Sequence, residues 1–270
     1  MRKASALGIE ALGIADHDTL AGYDAACAET ARNEIELICA VELSTRPAQP
    51  KSNGAREPSV HLLGYFIVSP PTLEFRTWLE AQQASRRQRN RELITKLQGL
   101  GLDITLHDAE VYGRNQVGRP HFARVLCDKG YVSSRQEAFD LYLADDAKAA
   151  VEREEPLLEE GIRRIRDAGG FAALAHPVRL PQQDDQLTHL IARLAEMGLG
   201  GLEVYHSEHT AAQSAFYLEL AHRFDLIPTG GSDFHGENKP AVRLGTGIDG
   251  NICLGYGLLE QIREMCYAKR

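Results

Sequence analysis

The 270-residue sequence lacks the features of several large protein classes. Its five cysteines (Cys27, Cys39, Cys127, Cys253 and Cys266) are odd in number, widely spread and form no C-x-x-C pair. They read as reduced structural thiols in a cytoplasmic protein. No stretch approaches eighteen apolar residues, and charged residues break the N-terminal apolar segment MRKASALGIEALGIADHD early. Neither secretion nor insertion into a membrane is expected. Positive charge is also scarce, with 30 Lys and Arg against 38 Asp and Glu and a formal net charge of −8. Broad binding to long duplex nucleic acid depends on clustered cations and is therefore not expected, which leaves room for a local basic pocket that holds one short anion. There is no G-x-S-x-G elbow for a serine hydrolase. The first strand is followed by no G-x-G-x-x-G dinucleotide loop. Solenoid repeats and long low-complexity tracts are absent as well.

With 43% hydrophobic and 25% charged residues, the chain can bury a full core. Six segments share one grammar: a helical stretch, a Gly-containing turn, then a short apolar run that meets His, Asp or Glu. They are ALGIEALGIADHD, NEIELICAVELS, VHLLGYFI, AGGFAALAHP, MGLGGLEVYH and FDLIPTGGSDFH. Continuous apolar strands between amphipathic helices predict a parallel sheet covered by helices. In a βα-barrel the C-terminal strand ends share one face, so polar residues at those ends meet. The stretch from 80 to 155 reads as consecutive helices without apolar strands, a helical insertion or cap. Residues 1–79 and 156–270 are then the barrel domain. TRPAQPKSNGAREPS, from Thr45 to Ser59, reads as a mobile surface loop.

Six residues at these positions carry metal-ligand chemistry: His17 in ADHDT, Glu42 in AVELS, His61 in HLLGY, His176 in AHP, and Asp233 and His235 in GSDFH. Taken singly, each has a structural explanation, such as a helix cap or a buried core histidine. Taken together, their mixture of imidazole and carboxylate suits Mn, Zn or Fe better than Mg or Ca. His206 and His209 in YHSEHT fit a helix start as well as a ligand pair, and Glu203 in the same strand is a candidate to support a ligand. A second constellation, GRPHFAR, places Arg119, His121 and free backbone N–H groups at a helix N-terminus, which suits phosphate. Arg86, Arg87, Arg89 and Arg91 crowd one helix, where Arg86 and Arg89 share a side. Lys148 and Lys239 are further candidates for anion contact, although lysines in such loops ordinarily face water.

ADHDT, the Glu of AVELS, HLLGY, GRPH, AHP and GSDFH occur in the order used by the PHP (polymerase and histidinol phosphatase) phosphoesterases, which the chain resembles over nearly its whole length. The similarity is to stand-alone bacterial members that act on 3′,5′-bisphosphorylated nucleosides and RNA 5′ ends. It implies a distorted seven-stranded βα-barrel with a helical insertion. It also implies two or three divalent transition metals on His17, Glu42, His61, His176, Asp233 and His235, with substrate contacts from Arg119, His121, Arg86 and Arg89. The implied activity is hydrolysis of a nucleotide or RNA phosphate ester by metal-activated water. The family opens with a strand bearing His-x-His and a following Asp, and none precedes Met1. The expectation is therefore that the first strand and three ligands are missing, through a displaced start or in a degenerate homologue that binds nucleotide or a partner without catalysis.

Overall fold

The computed structural model describes residues 1–30, 35–47, 59–113, 116–180 and 184–268. Most of the expected Thr45–Ser59 loop, from 48 to 58, lies outside the described residues, and Thr45 itself is buried at the end of a strand. In chain order the elements are α1 (Arg2–Ala6), β1 (Ala11–His17), α2 (Ala21–Thr30), β2 (Glu36–Thr45), β3 (Val60–Phe66), α3 (Leu73–Gly99), α4 (Leu106–Gly113), α5 (Arg119–Asp128) and α6 (Arg135–Ala138). A π-helical turn at Phe139–Leu143 follows, then α7 (Leu158–Asp167), β4 (Phe171–Leu174), α8 (Asp184–Glu196), β5 (Gly201–His206), α9 (Ala211–Arg223), β6 (Ile227–Gly231) and α10 (Gly257–Ala268). The chain divides into two units, with the boundary inside α3. One holds Ser59–Trp78, the chain from Pro156 onward and the described residues before Pro50; the other holds Leu79–Glu155. Among the described residues no helix is long and apolar enough to cross a membrane.

The first unit is built on a six-stranded sheet in the order β1 to β6, and each strand coincides with one of the six repeated segments, β2 running one residue past its own to Thr45. β1 pairs parallel with β2, and β4, β5 and β6 run parallel to one another. The expectation of a wholly parallel sheet is corrected at β3, which lies antiparallel to both β2 and β4. A parallel β2–β3 pair would need a crossover element, usually a helix, between the strands; the Pro- and Gly-rich 46–59 segment does not read as one. The inversion puts the start of β3 at the end of the sheet where the other strands finish. His61 thus sits opposite Ser44, two residues beyond the His17–Glu42 pair in the register.

Packing fixes this sheet from both faces. α7 buries Leu158, Ile162 and Ile165 completely, each contributing about 1.5–3 kcal/mol relative to exposure. It approaches β2 and β3 closely because Gly161 and Gly64 carry no side chain. A Cβ on Gly161 would lie 2.9 Å from both Leu62 and Thr45. On another part of the sheet Leu258, Ile262 and Met265 of α10 cluster with Leu63, Phe171, Ala173 and Ala175. The second unit is helical with its own core, in which Leu97, Ile104, Phe122 and Leu126 are fully buried.

Gly161→Val tests the α7 contact. The helix would gain only about 0.3–0.5 kcal/mol in propensity on exchanging glycine for valine, whereas overpacking costs about 1–3 kcal/mol. The net expectation is a lower urea midpoint at unchanged slope; an unchanged or higher midpoint would show that α7 can withdraw freely.

Candidate metal centre

Glu42 stands at the centre of the site. Its position on β2 places it beside His17 of β1 by register, and β3 brings His61 to the same end. β4 is extended past its last residue by a hydrogen bond from the Ala175 N–H to the His61 carbonyl at 3.0 Å, which sets His176 next to His61. His61 Nδ1 donates to Glu42 Oε1 at 2.7 Å and His176 Nε2 to the same oxygen at 2.9 Å, while the two ring nitrogens lie 3.2 Å apart. His17 Nε2 is 3.7 Å from the other carboxylate oxygen. One atom each from His17, Glu42 and His61 fall within 4.8 Å of one another.

Ligand atoms on a tetrahedral ion with bonds of about 2.0–2.2 Å stand roughly 3.3–3.6 Å apart. The observed 2.7, 2.9 and 3.2 Å separations are slightly contracted from that, so the residues fit a divalent cation replacing the protons they now share. The His176 ring is buried and its Nδ1 has no hydrogen-bond partner among the described residues. Burial pushes the Glu42 carboxyl up, but the charges of His17 and His61 and hydrogen bonds from His176 and His61 outweigh it. The group lies well below its ordinary value. Burial also lowers His176, against the pull of Glu42, which favours the neutral imidazole that metal binding requires.

Asp233 and His235 follow β6 and form the second part of the site. Asp233 Oδ2 accepts from Lys239 Nζ at 2.6 Å and Arg179 Nη2 at 3.0 Å, with His206 Nε2 at 3.4 Å; its Oδ1 is 3.5 Å from His235 Nδ1. Burial raises this carboxyl, yet His206, His235 and Lys239 together hold it far below the usual range. Arg179 also grips Glu208 through Nε at 2.9 Å and Nη2 at 2.6 Å. A row of rings connects the two parts: His17 to His61 at 4.9 Å, His61 to His176 at 5.1 Å, and His176 to His206 at 5.7 Å between centroids. Arg179 and Glu208 were not legible as site residues, because nothing in an apolar–polar pattern marks a 3₁₀ turn after AHP. Asp16 also belongs to the neighbourhood. Burial raises its carboxyl, the Gly22 N–H and His235 oppose that, and Glu42 adds to it.

Of the sequence-derived anion candidates, Lys239 lies in the first unit on Asp233, whereas Arg86, Arg89, Arg119 and His121 lie in the second. His121 Nδ1 accepts the Gly118 N–H at 3.0 Å, capping its own helix. Arg119 Nη1 donates to Asp145 at 2.7 Å and to the Leu143 carbonyl at 3.3 Å. Arg89 is buried, and its Nε has no hydrogen-bond partner among the described residues. Burial and repulsion from Arg86, Arg119 and Arg153 press its guanidinium down to about 9, with Glu155 in opposition.

No family model matches the chain. A 5′-3′ exoribonuclease of Haemophilus influenzae is 33% identical over 236 residues, covering 87% of this chain and 82% of the relative. A crystal structure from Bifidobacterium adolescentis, assigned as a metal-dependent phosphoesterase, superposes with a TM-score of 0.77 at 29% identity, over 97% of this chain and 87% of that one. The chain belongs to the PHP family of metal-dependent phosphoesterases. Another PHP relative, the 3′,5′-nucleoside bisphosphate phosphatase of Chromobacterium violaceum, is 29% identical over 239 residues, 88% of this chain and 81% of its own.

His209, behind the centre, gives a pH test of the site's burial. Its Nδ1 donates to the Val204 carbonyl at 2.8 Å, and burial lowers its pKa to about 4. In the unfolded chain the value is about 6.5. Above that pH both states are neutral and the full stability is present; as pH falls towards 4 only the unfolded state gains a proton, so stability is lost. The linkage amounts to about 2 kcal/mol between pH 7 and pH 5. Urea unfolding of the metal-free chain is expected to show His209→Gln losing correspondingly less stability over that interval than the parent. Equal losses would place the acid sensitivity elsewhere.

Proposed function

We propose that the chain hydrolyses a phosphate ester of a nucleotide, either a 3′,5′-bisphosphorylated nucleoside or the 5′ end of a short RNA. The observation that carries this reading is the convergence of His61 Nδ1 and His176 Nε2 on one oxygen of Glu42. The names of two PHP relatives, an exoribonuclease and a nucleoside bisphosphate phosphatase, support the substrate class. His17, Glu42, His61, His176, Asp233 and His235 would hold two or three divalent transition metals (Mn, Zn or Fe). Bound there, such metals supply positive charge against phosphoryl oxygens and lower the pKa of water. Glu42 and Asp233 bring the negative charge that attracts those cations, and the neutral His176 ring brings a lone pair. His206, His235 and Lys239 keep Asp233 ionised at neutral pH. In this reading the sheet is part of a seven-stranded PHP barrel, residues 80–155 are a helical insertion, and the enzyme works in the cytoplasm.

Arg86, Arg89, Arg119 and His121 would bind the anionic groups of the nucleotide. A buried guanidinium surrounded by three others gains from any anion that reaches it, and an anionic phosphate provides one.

Two measurements test the proposal. After gentle purification, elemental analysis should find at least one Mn, Zn or Fe per chain, and His176→Ala combined with Asp233→Ala should remove most of it. Unchanged metal content would refute the ligand set. With Mn(II) supplied, phosphate should be released from a 3′,5′-bisphosphorylated nucleoside or a 5′-phosphorylated oligoribonucleotide. Arg119→Ala and Arg89→Ala should each weaken nucleotide binding roughly ten- to a hundredfold, the usual effect of losing a charge-assisted hydrogen bond, while metal content stays constant. Full affinity in both variants would return the arginines to a structural role.

A further inference from the structure

We infer that β5, which contributes none of the six candidate ligands, is the strand that positions two of them: Glu203 sets His176 on one side and His206 sets Asp233 on the other. This deepens the proposed metal centre and rests on the ligand reading of His176 and Asp233. β5 lies between β4 and β6 in the sheet, and the two ligands stand just past the ends of those neighbours. Both have left-handed backbone, with φ of 25° at His176 and 52° at Asp233. A non-glycine residue in that region carries local strain and persists only when its surroundings over-determine it.

Part of the surroundings that do so comes from β5, alongside Lys239 and Arg179, which also hold Asp233. The buried Glu203 carboxyl group accepts the backbone N–H of His176 at 2.6 Å, while the Arg179 N–H closes on the His176 carbonyl at 3.0 Å. The His176 peptide is thus held at both ends and its ring is aimed at Glu42. On the opposite side, His206 Nδ1 accepts the Glu208 N–H at 3.1 Å, which leaves Nε2 as the nitrogen that carries a proton. That nitrogen faces Asp233 Oδ2 at 3.4 Å, a charge-dipole contact longer than an ideal hydrogen bond.

A regular strand could not do this. Glu203 and His206 are three residues apart, an odd spacing that sends side chains to opposite faces. The pairing of β5 with β6 shifts register between Glu203 and Tyr205. Such a bulge inserts one extra residue and re-aims the side chains beyond it, and here Glu203 and His206 both reach ligands. Gly230, opposite the bulge, has its Cβ position 2.5 Å from the Tyr205 carbonyl oxygen; only glycine admits so close an approach.

The test separates positioning from simple packing. Glu203→Gln keeps a carbonyl acceptor of the same reach, whereas Glu203→Leu keeps the bulk and removes the acceptor. His206→Phe keeps a ring and removes the N–H. Mn(II) affinity, measured by chelator competition, should fall roughly ten- to a hundredfold in the Leu and Phe variants and stay within about threefold of the parent in Gln, the range typical of supporting partners. Thermal stability of the metal-free Leu variant should change little. If that variant fails to fold, Glu203→Asp, which falls one methylene short, should show the same loss of affinity. Parental affinity in the Leu or Asp variant, or an equal loss in Gln, would overturn the inference. A crystal structure of the metal-free Leu or Asp variant decides independently of metal: His176 should leave the left-handed region, and retention of its φ would overturn the positioning role. A parent that binds no Mn(II) would instead fault the metal centre, with the backbone measurement still deciding this one.

Discussion

A carboxylate taken out of water costs several kcal/mol unless it is surrounded by partners, and Glu42, only 7% exposed, obliges the fold to deliver those partners. They come from three strands: His17 from β1, His61 from β3 and His176 from beyond β4. Parallel pairing brings the first, the antiparallel course of β3 brings the second, and the prolonged β3–β4 pairing brings the third. Changing the register of any pair by one residue would turn a ring to the opposite face and leave the charge exposed to apolar surroundings. The geometry of the sheet and the chemistry of the site are therefore one constraint.

Three of the five non-glycine residues with positive φ among the described residues, Asp18, His176 and Asp233, stand at this same end of the sheet, and each is tied by its own set of hydrogen bonds. The Asp18 carboxylate accepts the Ser44 N–H at 2.8 Å and the Ser44 hydroxyl at 3.3 Å, anchoring the turn after β1 onto β2 just beyond His17. Such residues cost about 1–3 kcal/mol each. What offsets them is the packing of the fully buried Ile162, Ile165, Leu62 and Leu174. A rigid apolar body under a strained polar rim gives preformed ligand positions.

The sequence made the strands legible because buried strands are short apolar runs, and it made the ligands legible because each stands at a run's polar boundary. His61 fitted that rule only by beginning its run, and the inverted direction of β3 accounts for it. Long-range pairing decides strand direction, and periodicity within one strand carries no trace of it. The β5 bulge was hidden for a related reason: it exists only relative to β6. Arg179 and Glu208 belong to turns, where no repeating pattern singles out one charged residue from its neighbours. The GRPHFAR motif likewise gave no sign that His121 Nδ1 accepts the Gly118 N–H.

The net charge of −8 conceals how charge is sorted. In the second unit Arg86, Arg119 and Arg153 stand close enough to Arg89 to lower its affinity for a proton, while Asp145 contacts Arg119 at 2.7 Å and Glu155 lies 3.6 Å from Arg153. At about 9 the Arg89 guanidinium is still charged near neutral pH. It therefore remains a buried cation in the field of other cations, an arrangement unfavourable in the free protein. Replacing Arg89 by an apolar residue would relieve that repulsion and should stabilise the free unit, yet it would also remove the attraction for an anion. A fold that keeps the repulsion has less affinity left to gain from shape and more from charge. Binding at such a cluster would weaken as ionic strength rises, but less steeply than at exposed lysines, because a buried charge is screened less than a solvated one.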